Sequence, residues 1–147
     1  MKTIKLLSLF ILLSFFVGAF AQKSEQGDDN IKTFKIAFIT KRLDLTSDQA
    51  EKFWPVYNQY QEELRALREK NKKALLNVYL NIDNLSEKDM EKVLDDEIAF
   101  HQSELDVTKK YVPKFKTVLP VRKVLKLFKA EEEFKSELLK RSRQNNR

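Results

Sequence analysis

Glu97, His101 and Glu104 stand at i, i+4 and i+7, and His101 is the sole histidine of the chain. On a helix three such side chains project from one face, so this trio comes nearest to a metal-binding arrangement. Zinc ordinarily takes three or four strong ligands, commonly His or Cys. A di-iron bundle takes Glu-x-x-His from two helices, whereas one helix here offers Glu-x-x-x-His. The favoured reading is a half-buried histidine paired with Glu97. Zinc or copper held by Glu97, His101 and Glu104 is the alternative, and no cofactor is expected.

Other catalytic chemistry finds little footing. The chain has no cysteine, which removes thiolate metal sites, cysteine nucleophiles and disulfides. Beyond residue 21 the only glycine is Gly27, and phosphate-cradling loops require glycine for close backbone approach. Asp95-Asp96-Glu97 and Glu131-Glu132-Glu133 supply carboxylates, but consecutive residues of a helix point in different directions. They read as solvated faces rather than as an acid/base pair. No nucleophile pairs with His101. An enzyme is not expected.

Charge gives the stronger signal. Residues 22 to 108 hold 13 basic and 18 acidic side chains, whereas residues 109 to 147 hold 13 basic and 4 acidic. Lys109, Lys110, Lys114, Lys116, Arg122, Lys123, Lys126 and Lys129 follow one another without an intervening acid. Tyr111, Phe115 and Phe128 interleave them. Such a segment suits an acidic protein partner, an unfolded chain held by mixed charge and apolar contact, or an anionic lipid surface. Equally, it is a solvated cationic face with its aromatics in the core.

The N-terminus bears on the choice of partner. Lys2 and Lys5 precede an apolar run from Leu6 to Phe20, and Ala19-Phe20-Ala21 is a small-x-small site. This is the pattern of a secretory signal cleaved after Ala21. The run falls short of the ~20 residues that span a bilayer, so no stable membrane anchor is expected. Export makes nucleic acid an unsuitable partner.

Helices must position these groups. With few glycines, three prolines and 34% charged residues, long helices with short connections are expected. Residues 22–30 read as a disordered leader, 31–139 as a single helical domain, and 140–147 as a basic flexible tail. A first, short helix runs from Ile31 to Leu43, with Ile31, Phe34 and Phe38 on one face. Leu45-Thr46-Ser47-Asp48-Gln49 is a capping box, Thr46 and Gln49 exchanging hydrogen bonds at a helix start, with Leu45 as a staple. From it a three-four series follows through Ala50, Phe53, Tyr57, Tyr60, Leu64, Leu67, Asn71, Ala74 and Val78, predicting a helix to about Leu80 that Pro55 bends. Ser86 caps a third helix whose apolar stripe is Met90, Leu94, Ile98, His101, Leu105, Thr108, Val112 and Phe115, bent at Pro113. A fourth runs from Pro120 to about Leu139 on Val121, Val124, Leu125, Phe128, Phe134 and Leu138.

A helix from Ser47 to Leu80 spans ~51 Å, whereas a compact domain of this size is about 36 Å across. The fold class expected is therefore all-α, with one short, two long and one medium helix in an elongated, curved hairpin arrangement. Its apolar surface calls for a partner, and a homodimer is the simplest. Phe34, Phe38, Arg42, Arg65, Arg68 and the cations from Lys109 to Lys126 are the expected contacts to that partner or client.

Leu45-Thr46-Ser47-Asp48-Gln49 resembles the LTxxQ family of periplasmic proteins, which includes Spy-type refolding chaperones and CpxP-type stress adaptors. Ile36 to Thr40, Phe53-Trp54-Pro55-Val56-Tyr57, Leu119 to Val124 and Ala130 to Phe134 more closely resemble a subgroup described as sensors of extracytoplasmic-function sigma factors. The resemblance spans about residues 31 to 141. It implies a periplasmic, curved, antiparallel homodimer that holds non-native envelope proteins without ATP on a basic and apolar concave face. The alternative it implies is regulatory: action on a sigma-factor or sensor-kinase system through a membrane sensor or anti-sigma component. A second LTxxQ is common in the family, and here Leu119-Pro120-Val121-Arg122-Lys123 takes its place without the Thr and Gln.

Overall fold

The computed structural model describes residues 18–145, with side chains described for 30–144. Four α-helices and no strand occur among the described residues: α1 (Gly18–Leu43), α2 (Ser47–Leu80), α3 (Glu87–Val118) and α4 (Val121–Asn145), with a 3₁₀ turn at Ile82–Asn84 between α2 and α3. The all-α expectation is met. None of these helices is long and apolar enough to cross a membrane.

The helix boundaries follow local chemistry. α2 starts at the expected capping box: Thr46 Oγ1 accepts from the Gln49 N–H at 3.3 Å, and Gln49 Oε1 accepts from the Thr46 N–H at 3.3 Å. Ser86 Oγ caps α3 by accepting from the Asp89 N–H at 3.2 Å, and its hydroxyl donates to the Asp89 carboxylate at 2.6 Å. α1 stops where Asp44 takes a left-handed φ of 49°, a conformation Asp tolerates better than most residues. Pro55 and Pro113 lie inside α2 and α3, which continue past them.

Two expectations about extent are corrected. α1 is not short: it has 26 residues and begins at Gly18 rather than Ile31, so helix covers 22–30, where a leader was expected. No proline interrupts that stretch, and a single interior glycine costs only ~1 kcal/mol. α4 likewise continues to Asn145 through most of the expected tail. Most of the expected secretory segment, residues 1–17, lies outside the described residues.

The chain divides into two units, one formed by Leu43–Lys129 and one by the residues up to Arg42 with those from Ala130. In the first, α2 and α3 form an antiparallel hairpin. Tyr60 meets Tyr111 with ring centroids 5.5 Å apart, Arg68 meets Glu104 at 2.7 Å and Asn71 meets Glu97 at 3.0 Å. Its core is aromatic: Phe53 lies against Tyr57 at 5.3 Å and Phe115 at 5.9 Å. Phe53, Tyr57, Leu64, Tyr111 and Phe115 are all buried. Further along the hairpin, from Leu67 on α2 and back to Val93 on α3, the facing residues are only half-buried.

In the second unit, the α1 residues Phe34 and Phe38 pack on Phe134 of α4 at 5.4 and 5.6 Å. Lys35 pairs with Glu131 at 3.2 Å and Arg42 with Glu133 at 3.0 Å. Ile39, Ala130 and Phe134 are buried.

The expected stripes of α3 and α4 hold in part: Phe115 on α3 and Val124 and Phe134 on α4 are buried as expected, but other members are not. Met90, Leu94, Ile98 and Leu105 are 40, 65, 68 and 47% exposed. The face turned to α2 instead carries Val93, Glu97, Phe100, Glu104 and Tyr111. On α4 the buried side chains are Val124, Leu127, Ala130 and Phe134, while Val121 and Leu125 are 65 and 72% exposed. Apolar residues outnumber the positions a two-helix contact can cover, so periodicity alone misplaces part of each stripe.

Candidate functional site

The capping box at the start of α2 is joined to the start of α4. Lys123 Nζ donates to Gln49 Oε1 at 2.8 Å and also to the main-chain carbonyl of Asp44. Gln49 Oε1 therefore accepts twice, once from the Thr46 N–H and once from Lys123. Lys123 holds the last place of Leu119-Pro120-Val121-Arg122-Lys123, the same place that Gln49 holds in Leu45-Thr46-Ser47-Asp48-Gln49. The two five-residue segments thus meet through their last side chains. Leu43 and Leu119, which flank the junction in sequence, are buried at 0 and 3% exposure. Spacing within each segment offered no sign of this contact.

Halfway along the hairpin, Glu63 collects three donor contacts. Lys110 Nζ reaches its two oxygens at 2.8 and 2.9 Å, and the Tyr111 hydroxyl donates at 2.7 Å. The Lys110 and Tyr111 hydrogen bonds hold the Glu63 carboxyl below its usual value. The hydrogen bond to Glu63, then burial, raises the Tyr111 phenol to about 12. The sequence shows Tyr111 only as an aromatic among the basic residues and does not link it to Glu63, because a Glu and a Tyr 48 residues apart carry no shared motif.

The expected binding cations separate into braced and free groups. Arg68 is tied to Glu104 at 2.7 Å, Lys110 to Glu63, and Lys123 to the junction. Arg65 pairs locally with Glu62 at 2.7 Å and Lys109 with Asp106 at 3.4 Å. Lys114 lies 4.5 Å from the centroid of the Tyr111 ring. Lys116, Arg122 and Lys126 are exposed and have no hydrogen bond, ion pair or ring contact among the described residues. Arg122 and Lys126 flank the exposed apolar side chains Val121, Leu125 and Phe128 on one side of α4, by helical spacing.

In the other unit, Phe34 and Phe38 are half-buried rather than open. Arg141 stacks 3.7 Å from the Phe34 ring centroid and Arg42 stands 5.0 Å from that of Phe38, both within cation–π range. Phe34, Ala37, Phe38, Lys41 and Arg42 line a shallow cavity of ≈ 310 Å³ on α1.

The histidine trio is brought together, but not as a metal centre. His101 Nε2 lies 3.3 Å from Glu97 and Nδ1 lies 3.5 Å from Glu104. The expected pairing with Glu97 is present. The expected half-burial is not, since the His101 side chain is 64% exposed. The carboxylates also accept from Asn71 and Arg68, which draw them toward α2. No group of three His, Cys, Asp or Glu residues able to hold a metal ion occurs among the described residues.

No family model, curated protein or solved structure matches the chain.

Proposed function

We propose that this chain is a periplasmic protein-binding chaperone or envelope-stress adaptor, not an enzyme, that holds non-native proteins without ATP. The observation that carries this reading is the start of α4. There the unpaired cations Arg122 and Lys126 lie beside Val121 and Leu125, which are 65 and 72% exposed. Exposed apolar side chains gain about 25 cal/mol for each Å² removed from water. Unpaired cations attract acidic chains at long range. Two or three such side chains give shallow, weak contact, which suits a client that must be released to refold. The secretory N-terminal pattern supports the compartment, and the LTxxQ-like capping box supports the class.

The test is aggregation of a denatured model client, followed by light scattering with and without the full chain. Suppression that persists without ATP supports holding. No suppression at a stoichiometric ratio removes the chaperone reading.

A regulatory reading draws on the same two cations with Lys116 on α3 added: together Lys116, Arg122 and Lys126 fit an acidic folded domain. In that reading the chain acts on an extracytoplasmic-function sigma-factor or sensor-kinase system through a membrane component. Capture from envelope extracts, with and without misfolding stress, distinguishes it. Recovery of a membrane sensor or anti-sigma component only under one condition supports regulation. Recovery of none under either condition counts against it.

A further inference from the structure

We infer that the outer face of α3 is a second docking surface, opposite in charge to α4, whose occupant is a cationic amphipathic helix of a partner protein. The inference does not rest on the chaperone reading.

The surface begins with an apolar stripe. Met90, Leu94, Ile98 and Leu105 recur at three- and four-residue spacing, with one turn skipped at His101, and so line one side of α3. They remain 40 to 68% exposed. From Met90 to Leu105 the stripe is about 22 Å long, which matches four turns of a docked helix. Packing within the hairpin does not use it, because Glu97, Phe100 and Glu104 already face α2.

Charge then selects the occupant. Glu91 and Asp95 border the stripe, are exposed, and have no hydrogen bond or ion pair among the described residues. Glu87 extends the same line one turn toward the helix start and is likewise unpaired. Among the other acids of the hairpin, Glu62 is paired with Arg65, Glu63 with Lys110 and Glu104 with Arg68. From Glu87 to Asp106 the only cations are Lys88 and Lys92, and Lys92 is already paired with Asp96. Three exposed carboxylates, of which Asp95 lies in the field of Lys92, stand beside an exposed apolar stripe and repel acidic chains and anionic lipid. They complement a helix with leucine-like residues on one face and Lys or Arg at its margin.

A second copy of the chain fits poorly. Its own exposed basic and apolar stripe, Val121 to Phe128, extends only about 11 Å before Glu131, Glu132 and Glu133 follow. That is about half the length of the α3 stripe, so most of the stripe would stay uncovered.

The experiment uses the full chain and three fluorescein-labelled synthetic helical peptides of about 18 residues, long enough to cover the stripe. The first carries Leu at three-four spacing with Lys margins. The second has the same Leu pattern with Glu margins, and the third has Lys with Ser in place of Leu. Fluorescence anisotropy should show the Leu/Lys peptide binding at least about tenfold tighter than either control. Leu94→Ser with Ile98→Ser should weaken it about tenfold, as should the non-disruptive pair Glu91→Gln with Asp95→Asn. Val121→Ser with Leu125→Ser should leave it unchanged, and circular dichroism confirms that each variant keeps its helix content. Equal binding of the Leu/Glu peptide, or of the Lys/Ser peptide, to the Val121→Ser with Leu125→Ser variant, which lacks the apolar part of the α4 face, overturns the inference. So does sedimentation showing a dimer that Leu94→Ser with Ile98→Ser converts to monomer, because the face is then covered by a second copy.

Discussion

Lys123 donates to Gln49 Oε1 at 2.8 Å across 74 residues of sequence, joining the capping box of α2 to the first turn of α4. A cation at a helix N-terminus opposes the helix dipole. Here the hydrogen bonds to Gln49 and to the Asp44 carbonyl offset that repulsion. The capping box therefore does more than start a helix: it ties the ends of two connections together.

Removing that tie has a measurable cost. Thr46→Ala should lower stability by about 1 kcal/mol through loss of the cap. Gln49→Ala should lower it further than Lys123→Met, because Gln49 serves both the Thr46 N–H and Lys123. Thermal unfolding of the two single variants and the double variant tests the coupling. Strict additivity would show that the bond between Lys123 and Gln49 contributes nothing to the fold.

The hairpin core is concentrated at one end. Phe53→Ala and Phe115→Ala should each cost about 3–5 kcal/mol, since both rings are buried and touch one another. Leu94→Ala and Ile98→Ala should change stability by only about 0.5 kcal/mol, because both side chains are more than half exposed. Urea unfolding measures both sets. Comparable losses in the two would place Leu94 and Ile98 in the core after all.

Glu63 and Tyr111 make stability depend on pH at both extremes. The folded Glu63 carboxyl titrates below its usual value of 4.5. Its contribution is therefore present above that value and lost as pH falls through the lower folded one. The folded Tyr111 phenol is raised from 10.0 to about 12. Above pH 10 the unfolded chain releases this proton first, so stability falls as pH rises from 10.0 to about 12 and is level below that window. Absorbance of tyrosinate during alkaline titration, compared with Tyr111→Phe, should show one phenol ionising late. Four tyrosines all titrating near 10.0 would contradict the hydrogen bond.

The free cations should separate binding from folding. Lys116→Glu, Arg122→Glu and Lys126→Glu together should leave the melting temperature within a few degrees, since none of the three supports a contact. The same triple variant should weaken capture of an acidic client, and the wild-type affinity should fall with salt. Isothermal titration at two ionic strengths measures both. A triple variant that binds as well as wild type would exclude this segment as the contact surface.

Sequence order made parts of this fold plain and hid others. Thr46, Gln49 and Ser86 announce helix starts because their side chains act on backbone three residues away. The α2 series from Phe53 to Leu64 is legible because its inward positions are aromatic or Leu and their outward neighbours are polar. On α3 the same reasoning misleads. Met90, Leu94, Ile98 and Leu105 form the more hydrophobic line, while the inward line contains Glu97 and Glu104, whose carboxylates are satisfied by Asn71 and Arg68. That exchange depends on residues of another helix. The junction between Lys123 and Gln49, and the bond between Glu63 and Tyr111, are invisible in sequence for the same reason: each requires the fold to bring distant residues together.

We propose binding of non-native protein through the exposed apolar and cationic side chains of α4. Its most direct measurement is titration of the full chain into a fluorescently labelled, permanently unfolded protein, such as reduced and carboxymethylated α-lactalbumin, without ATP. Binding with a Kd on the order of micromolar, weakened by Val121→Ser with Leu125→Ser and by added salt, is the predicted result. Absence of binding up to about 100 μM, or binding that neither the paired substitution nor salt alters, would rule out this mode of client binding.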